Sequence, residues 1–505
     1  MKYSPLFFFG WFLGVLSALA SPPAPRAITM AECLKMALQN NWDVRIQRLA
    51  PSIAYWQSEA ALGAYDPVLG FKAGQNHVTM PQETDPNKIG PNEEYKQTSD
   101  SLALGLTGAL PYGTRYELAH VFSHYRYQTD FTPPSRFPNN QRTTNDYEST
   151  LSLNLTQPLL RNFLMDQARQ VILVSRKNLK ISELALQMQL LNTATQVELA
   201  YYDLAGAQDL ARVQEHALAL AKTMLDLGRK QLDAGKATPL DVARAEAHVA
   251  TIEGDLILAQ QTLASAQNRL KTLITDDFKS LADVALTAAD SMLVVPHQYD
   301  REFSWQQAMT TRPDLLQLRL ESEKKDILVR FQKNQLLPAA DLIGGVGARG
   351  KTSEADRAYG DLWEIKYPAY HYGLVVSLPI GNRAGRGNYQ AAQAARKLAA
   401  LEIKKAEQVI LAEVDIAGSL IQTTLKRIPA TRKAREYAQS ALEMENKKLE
   451  VGASTQYVIQ KLQQDLTLAR QVEVQTATDY NKALVQLAYG EGSLLTKNGL
   501  GLMFK

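Results

Sequence analysis

The segment beginning at Ala37 recurs 271 positions later. Ala37-Leu38-Gln39-Asn40-Asn41-Trp42-Asp43-Val44 aligns with Ala308-Met309-Thr310-Thr311-Arg312-Pro313-Asp314-Leu315, and Pro67 meets Pro338 at the same offset. A second match runs at an offset of 217: Leu225, Lys230, Leu232, Gly235, Thr238, Ala266 and Leu270 meet Leu442, Lys447, Leu449, Gly452, Thr455, Ala483 and Leu487. The offset falls because the polar segment after Pro67 is longer than the one after Pro338. A chain built twice from one plan must fold as two copies that pack together. The copies are read as residues 21–274 and 302–491, with a linker at 275–301 and a tail at 492–505.

The second half of each copy is helical. Ala245, Val249, Ile252, Leu256, Ala259, Leu263, Ala266 and Leu270 recur at alternating spacings of four and three, a coiled-coil seam. Leu462, Leu466, Ala469, Glu473, Thr476, Tyr480, Ala483 and Leu487 are its counterparts. No proline lies between Pro158 and Pro239, and 166–232 is rich in Ala, Leu, Gln, Lys and Arg, so one helix about 100 Å long is expected there. A matching helix is expected over 386–449, kinked at Pro429. Helices of this length predict a rod or tube of coiled helices. Turns at 233–239 and 450–454 precede helices at 240–274 and 455–490. In them Gly235 and Gly452 suit a helix C-cap, Thr238, Ser454 and Thr455 suit an N-cap, and Pro239 suits the first helical position. Each copy opens with a shorter helix, 30–63 and 302–336.

Between these helices the period changes to two. Leucines alternate with small or polar residues in Leu102-Ala103-Leu104-Gly105-Leu106-Thr107-Gly108 and in Leu151-Ser152-Leu153-Asn154-Leu155-Thr156-Gln157-Pro158, and Leu374-Val375-Val376-Ser377-Leu378-Pro379 repeats the theme. One apolar and one polar side fits a half-buried sheet or a transmembrane barrel. Strands are placed within 65–158 and 338–379. Aromatic residues cluster nearby, Tyr112, Tyr116, Phe122, Tyr125, Tyr127, Phe131, Tyr147, Trp363, Tyr367, Tyr370 and Tyr372, as in interfacial girdles. Pro111-Tyr112-Gly113-Thr114 reads as a tight turn between strands at 101–110 and 115–127, whereas 81–96 and 132–146 read as polar loops. The count is four to six strands per chain. Four strands cannot close a barrel in lipid, where an open edge leaves unpaired backbone groups, so several chains must share one.

The first residues are not fold. Lys2, the apolar run Leu6–Leu16 and Ala18-Leu19-Ala20 form a secretory signal peptide, residues 1–20, cleaved near Ala20. No cysteine stands directly after the cleavage point, and the rest of the chain has no apolar stretch of about 18 residues, the length of a membrane helix.

Chemistry is sparse. Lys+Arg at 55 against Asp+Glu at 52 gives a net charge of +3, no case for a nucleic-acid partner. The single cysteine, Cys33, excludes an internal disulfide, a CxxC redox pair and a thiolate zinc site. Gly345-Val346-Gly347-Ala348-Arg349-Gly350 satisfies GxGxxG, but Lys351-Thr352-Ser353-Glu354 and a loop follow where a dinucleotide site needs a helix; small residues in a strand explain it. His120 and His124 sit in strand context and do not form a zinc-binding pair. Gly381-Asn382-Arg383-Ala384-Gly385-Arg386-Gly387 lacks the Gly-Lys-Ser/Thr of a phosphate loop and reads as a bend from strand to helix. No nucleophile–base set emerges, so neither an enzyme, a cofactor nor a metal site is expected.

The order signal peptide, then helix–strands–long helix–turn–helix twice over, resembles the TolC-like outer-membrane efflux protein family. Local motifs agree: Ala37-Leu38-Gln39-Asn40-Asn41-Trp42-Asp43 is similar to the family's A-L-x-x-N-P-x start, with Trp42 for the proline that Pro313 restores. Leu155-Thr156-Gln157-Pro158-Leu159-Leu160 and Val376-Ser377-Leu378-Pro379-Ile380 are similar to its strand–helix junctions, and Leu449-Glu450-Val451-Gly452 to its tip turn. The likeness covers nearly all of 28–495.

The resemblance implies an α+β membrane protein. Three identical chains would share one β-barrel in the outer-membrane lipid of a Gram-negative bacterium, with a coiled-coil cylinder of helices in the periplasm. The linker and tail would belt the cylinder. Gly235, Thr238, Pro239, Gly452, Ser454 and Thr455 would meet a periplasmic adaptor coupled to an inner-membrane transporter, and Gln157, Pro158 and Pro379 would mark the strand–helix junctions. The function implied is a passive exit duct for small-molecule efflux. The alternatives are the outer-membrane part of type I protein secretion and, in another class, a soluble exported coiled-coil scaffold. Where the family carries an acidic ring, six and nine residues past the second-copy glycine, this chain has Val458 and Lys461; the first-copy equivalents are Asp241 and Arg244. The expectation is a tip with Lys461, Arg244 and Asp241 near the lumen, less cation-selective than an acidic ring.

Overall fold

The computed structural model describes residues 25–80, 92–131, 140–235, 237–451 and 453–499. The expected signal peptide and the tip glycine Gly452 lie outside the described residues. In chain order the elements are β1 (Arg26–Ile28), α1 (Met30–Asn40), α2 (Trp42–Gln47), α3 (Leu49–Leu62), a short 3-10 turn, β2 (Val68–Met80), β3 (Asn92–Ala109), β4 (Arg115–Phe131) and β5 (Asn140–Pro158). There follow α4 (Gln167–Asp233), α5 (Pro239–Ile274), α6 (Phe278–Leu281), β6 (Leu286–Ala288), α7 (Arg301–Thr311), α8 (Pro313–Gln335) and β7 (Ala339–Thr352). The chain ends with α9 (Ala355–Trp363), β8 (Pro368–Ser377), α10 (Arg383–Glu450), α11 (Gln456–Gly490) and α12 (Leu494–Lys497). No described helix is long and apolar enough to cross a membrane.

Two compact units divide the chain. The helical unit takes the described parts of Met1–Arg48, Leu186–Pro313 and Glu407–Lys505; the sheet unit takes Leu49–Ala185 and Asp314–Ala406.

In the helical unit, α5 packs on α4 through Ala217, Ala221, Leu225, Val242, Ala245, Val249 and Ile252. The α10–α11 hairpin closes on Leu442, Ile459 and Leu466, with Met224 of α4 packed against it. Lys482 of α11 pairs with Asp203 of α4 at 2.6 Å. The helices therefore lie in the order α5–α4–α11–α10. The largest core joins α1, α4, α5 and α11 through Cys33, Leu34, Val197, Tyr201, Leu204, Leu270 and Val485. The linker and tail enter it too. β6 pairs in parallel with β1, and Leu286 and Leu494 are core residues.

Helices expected over 30–63 and 302–336 are each broken. At Asn41 the chain adopts φ −60°, ψ 129°, and at Arg312, 271 positions later, φ −64°, ψ 120°. Pro313 explains the second corner. At the first, the Asn41 carboxamide does the work: it accepts from the amides of Asp43 and Val44 and donates to the Leu273 carbonyl at 3.1 Å. Pro429, where a kink is expected, lies inside α10, which runs from Arg383 to Glu450.

In the sheet unit, six antiparallel strands follow the order β2-β3-β4-β5-β7-β8. The strand count is thus six among the described residues, and β2 and β8 are edges. Two expected loops are partly strand. Residues 92–96 and 140–146 belong to β3 and β5, because ladder pairing with β4 satisfies their backbone whatever their side chains. The GxGxxG run lies in β7, but the loop expected after it holds α9, packed on β7 and β5. Gly350 permits this approach: a Cβ there would come within 2.0 Å of the Ala358 carbonyl oxygen.

Candidate functional site

The register fixes which side chains share a face. Leu69, Leu106, Leu118, Leu153, Val346 and Tyr370 are cross-strand partners in turn, one apolar row across all six strands. One residue along each strand, on the other face, the row is Gly70, Gly105, Ala119, Ser152, Gly347 and Ala369. Period two makes this alternation unavoidable once the register is set. The leucine face is not a buried core: Leu69, Phe71, Leu102, Leu104, Tyr370, Tyr372 and Leu374 are all exposed. So large an exposed apolar surface demands an apolar neighbour. The opposite face carries the pairs Arg349–Glu148 at 2.7 Å and Lys351–Asp146 at 3.4 Å. Water suits it.

At the end of the sheet where Gln157 and Pro158 lie, the chain turns from strand to helix. Gln157 accepts a hydrogen bond from the Thr114 hydroxyl and donates to the Pro158 carbonyl at 2.8 Å. The Leu159 amide donates to the Ala340 carbonyl at 2.7 Å. Pro379 lies outside regular structure just past β8, and Asn382 then opens α10 by accepting from the Gly385 amide. Sequence reasoning missed Asn162 and Asn334. Asn162 sits at φ +68° with its amide donating to the Asn334 side chain at 2.7 Å. The tolerance of asparagine for left-handed backbone was the available signal.

The two interhelical turns differ in chemistry. Gly235 takes φ +68° and its amide donates to the Leu232 carbonyl, ending α4. Thr238 caps α5, with Pro239 as its first residue. The Asp241 carboxylate accepts from the Thr238 amide and hydroxyl at 3.0 and 2.7 Å. Those two bonds hold its carboxyl below the usual carboxylate range. Thr455 stands at the cap of α11 without a side-chain cap bond, and Val458, in the position of Asp241, offers no carboxylate to return one. There Ser454 donates instead to Glu445 at 2.6 Å, and Lys448 pairs with the same carboxylate at 2.9 Å; both lower its pKa. The Gln456 amide joins the turns, donating to Gln231 at 3.3 Å. Arg244 and Lys461 are exposed. Asp241 is thus a cap residue first, a role that sequence reasoning did not give it.

The comparisons agree with this geometry. The family model described as "Outer membrane efflux protein" matches residues 131–275 and 305–490. The chain is 24% identical over 384 residues to "Outer membrane efflux protein BepC" of Brucella suis biovar 1, covering 74% of this chain and 79% of that protein. It is 23% identical over 412 residues to "Proteases secretion protein PrtF" of Dickeya chrysanthemi, covering 78% and 82%. The solved Campylobacter jejuni CmeC outer membrane channel superposes with TM-score 0.65 at 14% identity, covering 92% of this chain and 85% of that one. With the model matched along both halves of the chain, this protein belongs to the outer membrane efflux protein family.

Proposed function

We propose that this protein is the outer-membrane exit duct of a tripartite efflux system in a Gram-negative bacterium. The observation that carries the reading is the six-stranded sheet with an exposed leucine face, a small and polar opposite face and two unpaired edges. Lipid suits the first face and a water-filled bore the second. The edges β2 and β8 need partners, since unpaired backbone is costly in lipid. Identical chains supply them: three copies bring eighteen strands, within the range of known barrels.

The helical unit supports the same closure. Among the described residues, the order α5–α4–α11–α10 leaves one flank of α5 over 240–257 and one of α10 without a long neighbouring helix. On α5 the exposed positions Leu240, Ala243, Ala247, Ala250, Gly254 and Ile257 recur at spacings of three and four. On α10 Val409, Ile416, Tyr437 and Met444 are exposed at multiples of seven. Two such seams fit each other head to tail between copies, giving a ring rather than a filament. The turns at Gly235–Pro239 and Ser454–Thr455 would meet a periplasmic adaptor joined to an inner-membrane pump. Cargo passes without bond chemistry. With Asp241 engaged in its cap, and Arg244 and Lys461 exposed, the tip is less cation-selective than a ring of carboxylates.

The test is insertion of detergent-purified mature protein into a planar bilayer, with its native mass measured. A conducting trimer is expected; a water-soluble, non-conducting monomer overturns the reading and leaves the exported scaffold. Strong cation selectivity that survives Asp241→Ala would count against the proposed tip. The likeness to PrtF favours a second reading, export of proteins, which predicts that deleting the gene abolishes secretion of a polypeptide while leaving dye efflux unchanged.

A further inference from the structure

We propose that α9 is an interfacial collar, a short helix that rests in the headgroup layer of the outer leaflet and marks where the barrel leaves hydrocarbon. The inference rests on the barrel reading above and extends it to a lipid-binding element between β7 and β8.

The helix lies on the leucine face of the sheet. Ala358 and Leu362 are buried against it, and the Tyr359 ring stacks on Phe122 of β4 at 5.1 Å. Its position coincides with a change in that face. From Tyr116 to Phe122 along β4, the side chains and their cross-strand partners on β3 are apolar except for His120 and Gly108. The next residue on this face is His124, beside Asp100 at 3.8 Å, and then Arg126, paired with Asp100 at 2.8 Å. Charges of this kind do not face acyl chains. The apolar band below α9, from Gly350 to Ala340 along β7, spans ten residue steps of tilted strand. Ten such steps rise about 25 Å, the height of an outer-membrane barrel band.

The outer side of α9 has the composition of an interface. Trp363 is 75% exposed, Asp356, Arg357 and Glu364 are also exposed, and Tyr367 follows at the foot of β8. A polar helix flank is costly in hydrocarbon and unremarkable among headgroups. An exposed indole at its edge has an apolar body for the acyl boundary and an N–H for the headgroups. The headgroup layer satisfies both; plain water would serve the N–H but leave the apolar body of Trp363 uncovered.

Depth-dependent fluorescence quenching tests this in phosphatidylcholine vesicles carrying a nitroxide at the headgroup or deep in the acyl chain. One reporter is Trp363, in a mature chain with Trp42, Trp56 and Trp305 replaced by phenylalanine. The other is Tyr372→Trp in the same background with Trp363→Phe, a residue on the lipid face below the collar. The expected result is that the headgroup nitroxide quenches Trp363 more than the deep one does, while Tyr372→Trp shows the reverse order. Quenching of Trp363 by aqueous iodide alone, or chiefly by the deep probe, overturns the collar while Tyr372→Trp upholds the barrel. Lipid quenching of neither reporter overturns the barrel and the collar together. If the tryptophan-depleted chain fails to fold, a nitroxide on Gly360→Cys in the otherwise native chain reads the same depth. A Cβ at Gly360 meets nothing within 4 Å, and Cys33 is buried. Greater accessibility to an aqueous nickel complex than to oxygen dissolved in the bilayer overturns the collar, and intermediate accessibility to both upholds it.

Discussion

Thr238 and Asp241 cap each other: the Asp241 amide donates to the Thr238 hydroxyl oxygen at 3.3 Å, and the Thr238 amide donates to the Asp241 carboxylate at 3.0 Å. This reciprocal pair fixes the start of α5. Thr238→Ala should cost about 1 kcal/mol of local stability. Hydrogen exchange of the amides from Asp241 to Arg244 should quicken accordingly, and unchanged exchange would contradict the capping role. Asp241 titrates below its ordinary value of 3.8, so its contribution is present above that pH and is lost as pH falls through the lower folded value. The same amides should therefore loosen only in strong acid, and in Asp241→Asn that acid-dependent loosening should vanish.

The second turn lacks this device because Val458 stands where Asp241 would. Val458→Asp should install the reciprocal cap with Thr455 and slow exchange at the start of α11, by roughly the factor of five that 1 kcal/mol represents. Val458→Asn, a neutral near-isostere of the aspartate, should gain less. Equal effects would show that the charge contributes nothing.

Glu198 on α4 is only 7% exposed, and burial pushes its carboxyl up to about 7. The Asn498 side chain, donating at 2.6 Å, and nearby Lys497 pull the other way; Tyr202 is the further titratable group beside it. A folded value above the unfolded one means stability is full below pH 4.5 and declines as pH rises through about 7. Thermal unfolding in detergent should show wild type losing ground to Glu198→Gln between about pH 5 and about pH 8. Parallel pH profiles for the two proteins would refute the buried titration.

Cys33 lies in the core of the helical unit, and burial raises its thiol pKa to about 12. The thiolate is the reactive form. The native protein should resist alkylation at neutral pH, and denaturant should expose one thiol per chain. Rapid labelling of native protein would mean that α1 is not docked as described.

Asn41→Ala removes the cap of α2 and the bond to Leu273 that ties the corner to the end of α5. A loss of about 1 kcal/mol, and more if the buried carbonyl is left unpaired, is expected from denaturant unfolding. Asn41→Asp keeps the acceptor but not the donor, so it should recover only the capping part.

Several elements were readable from residues alone because their signals are local. Leucine alternation around Leu104 and Leu153 survives any register, and the spacing of Ala245, Val249 and Ile252 is a helix seam wherever the helix lies. The tip glycine at 235 and Pro239 mark a turn by backbone preference alone. Other features depended on distant partners. Residues 92–96 and 140–146 are polar and read as loops, yet they pair with β4 beyond the apolar band, where hydrogen bonding and not side-chain hydrophobicity keeps the strands together. The nine residues of α9 are too few for a periodic signal, and their buried side was decided by the space over Gly350. The spacing of Asp241 from Gly235 and from Thr238 is legible too, and Thr238-x-x-Asp241 is the pattern of a capping box.

By itself, then, the sequence determined long helices and amphipathic strands, because periodicity and turn chemistry act over a few residues. The tertiary structure decided the six-strand order and the sharing of one row of leucines across every strand. Those depend on register and on groups brought together from far along the chain, and backbone pairing and side-chain reach are settled only when the chain has folded.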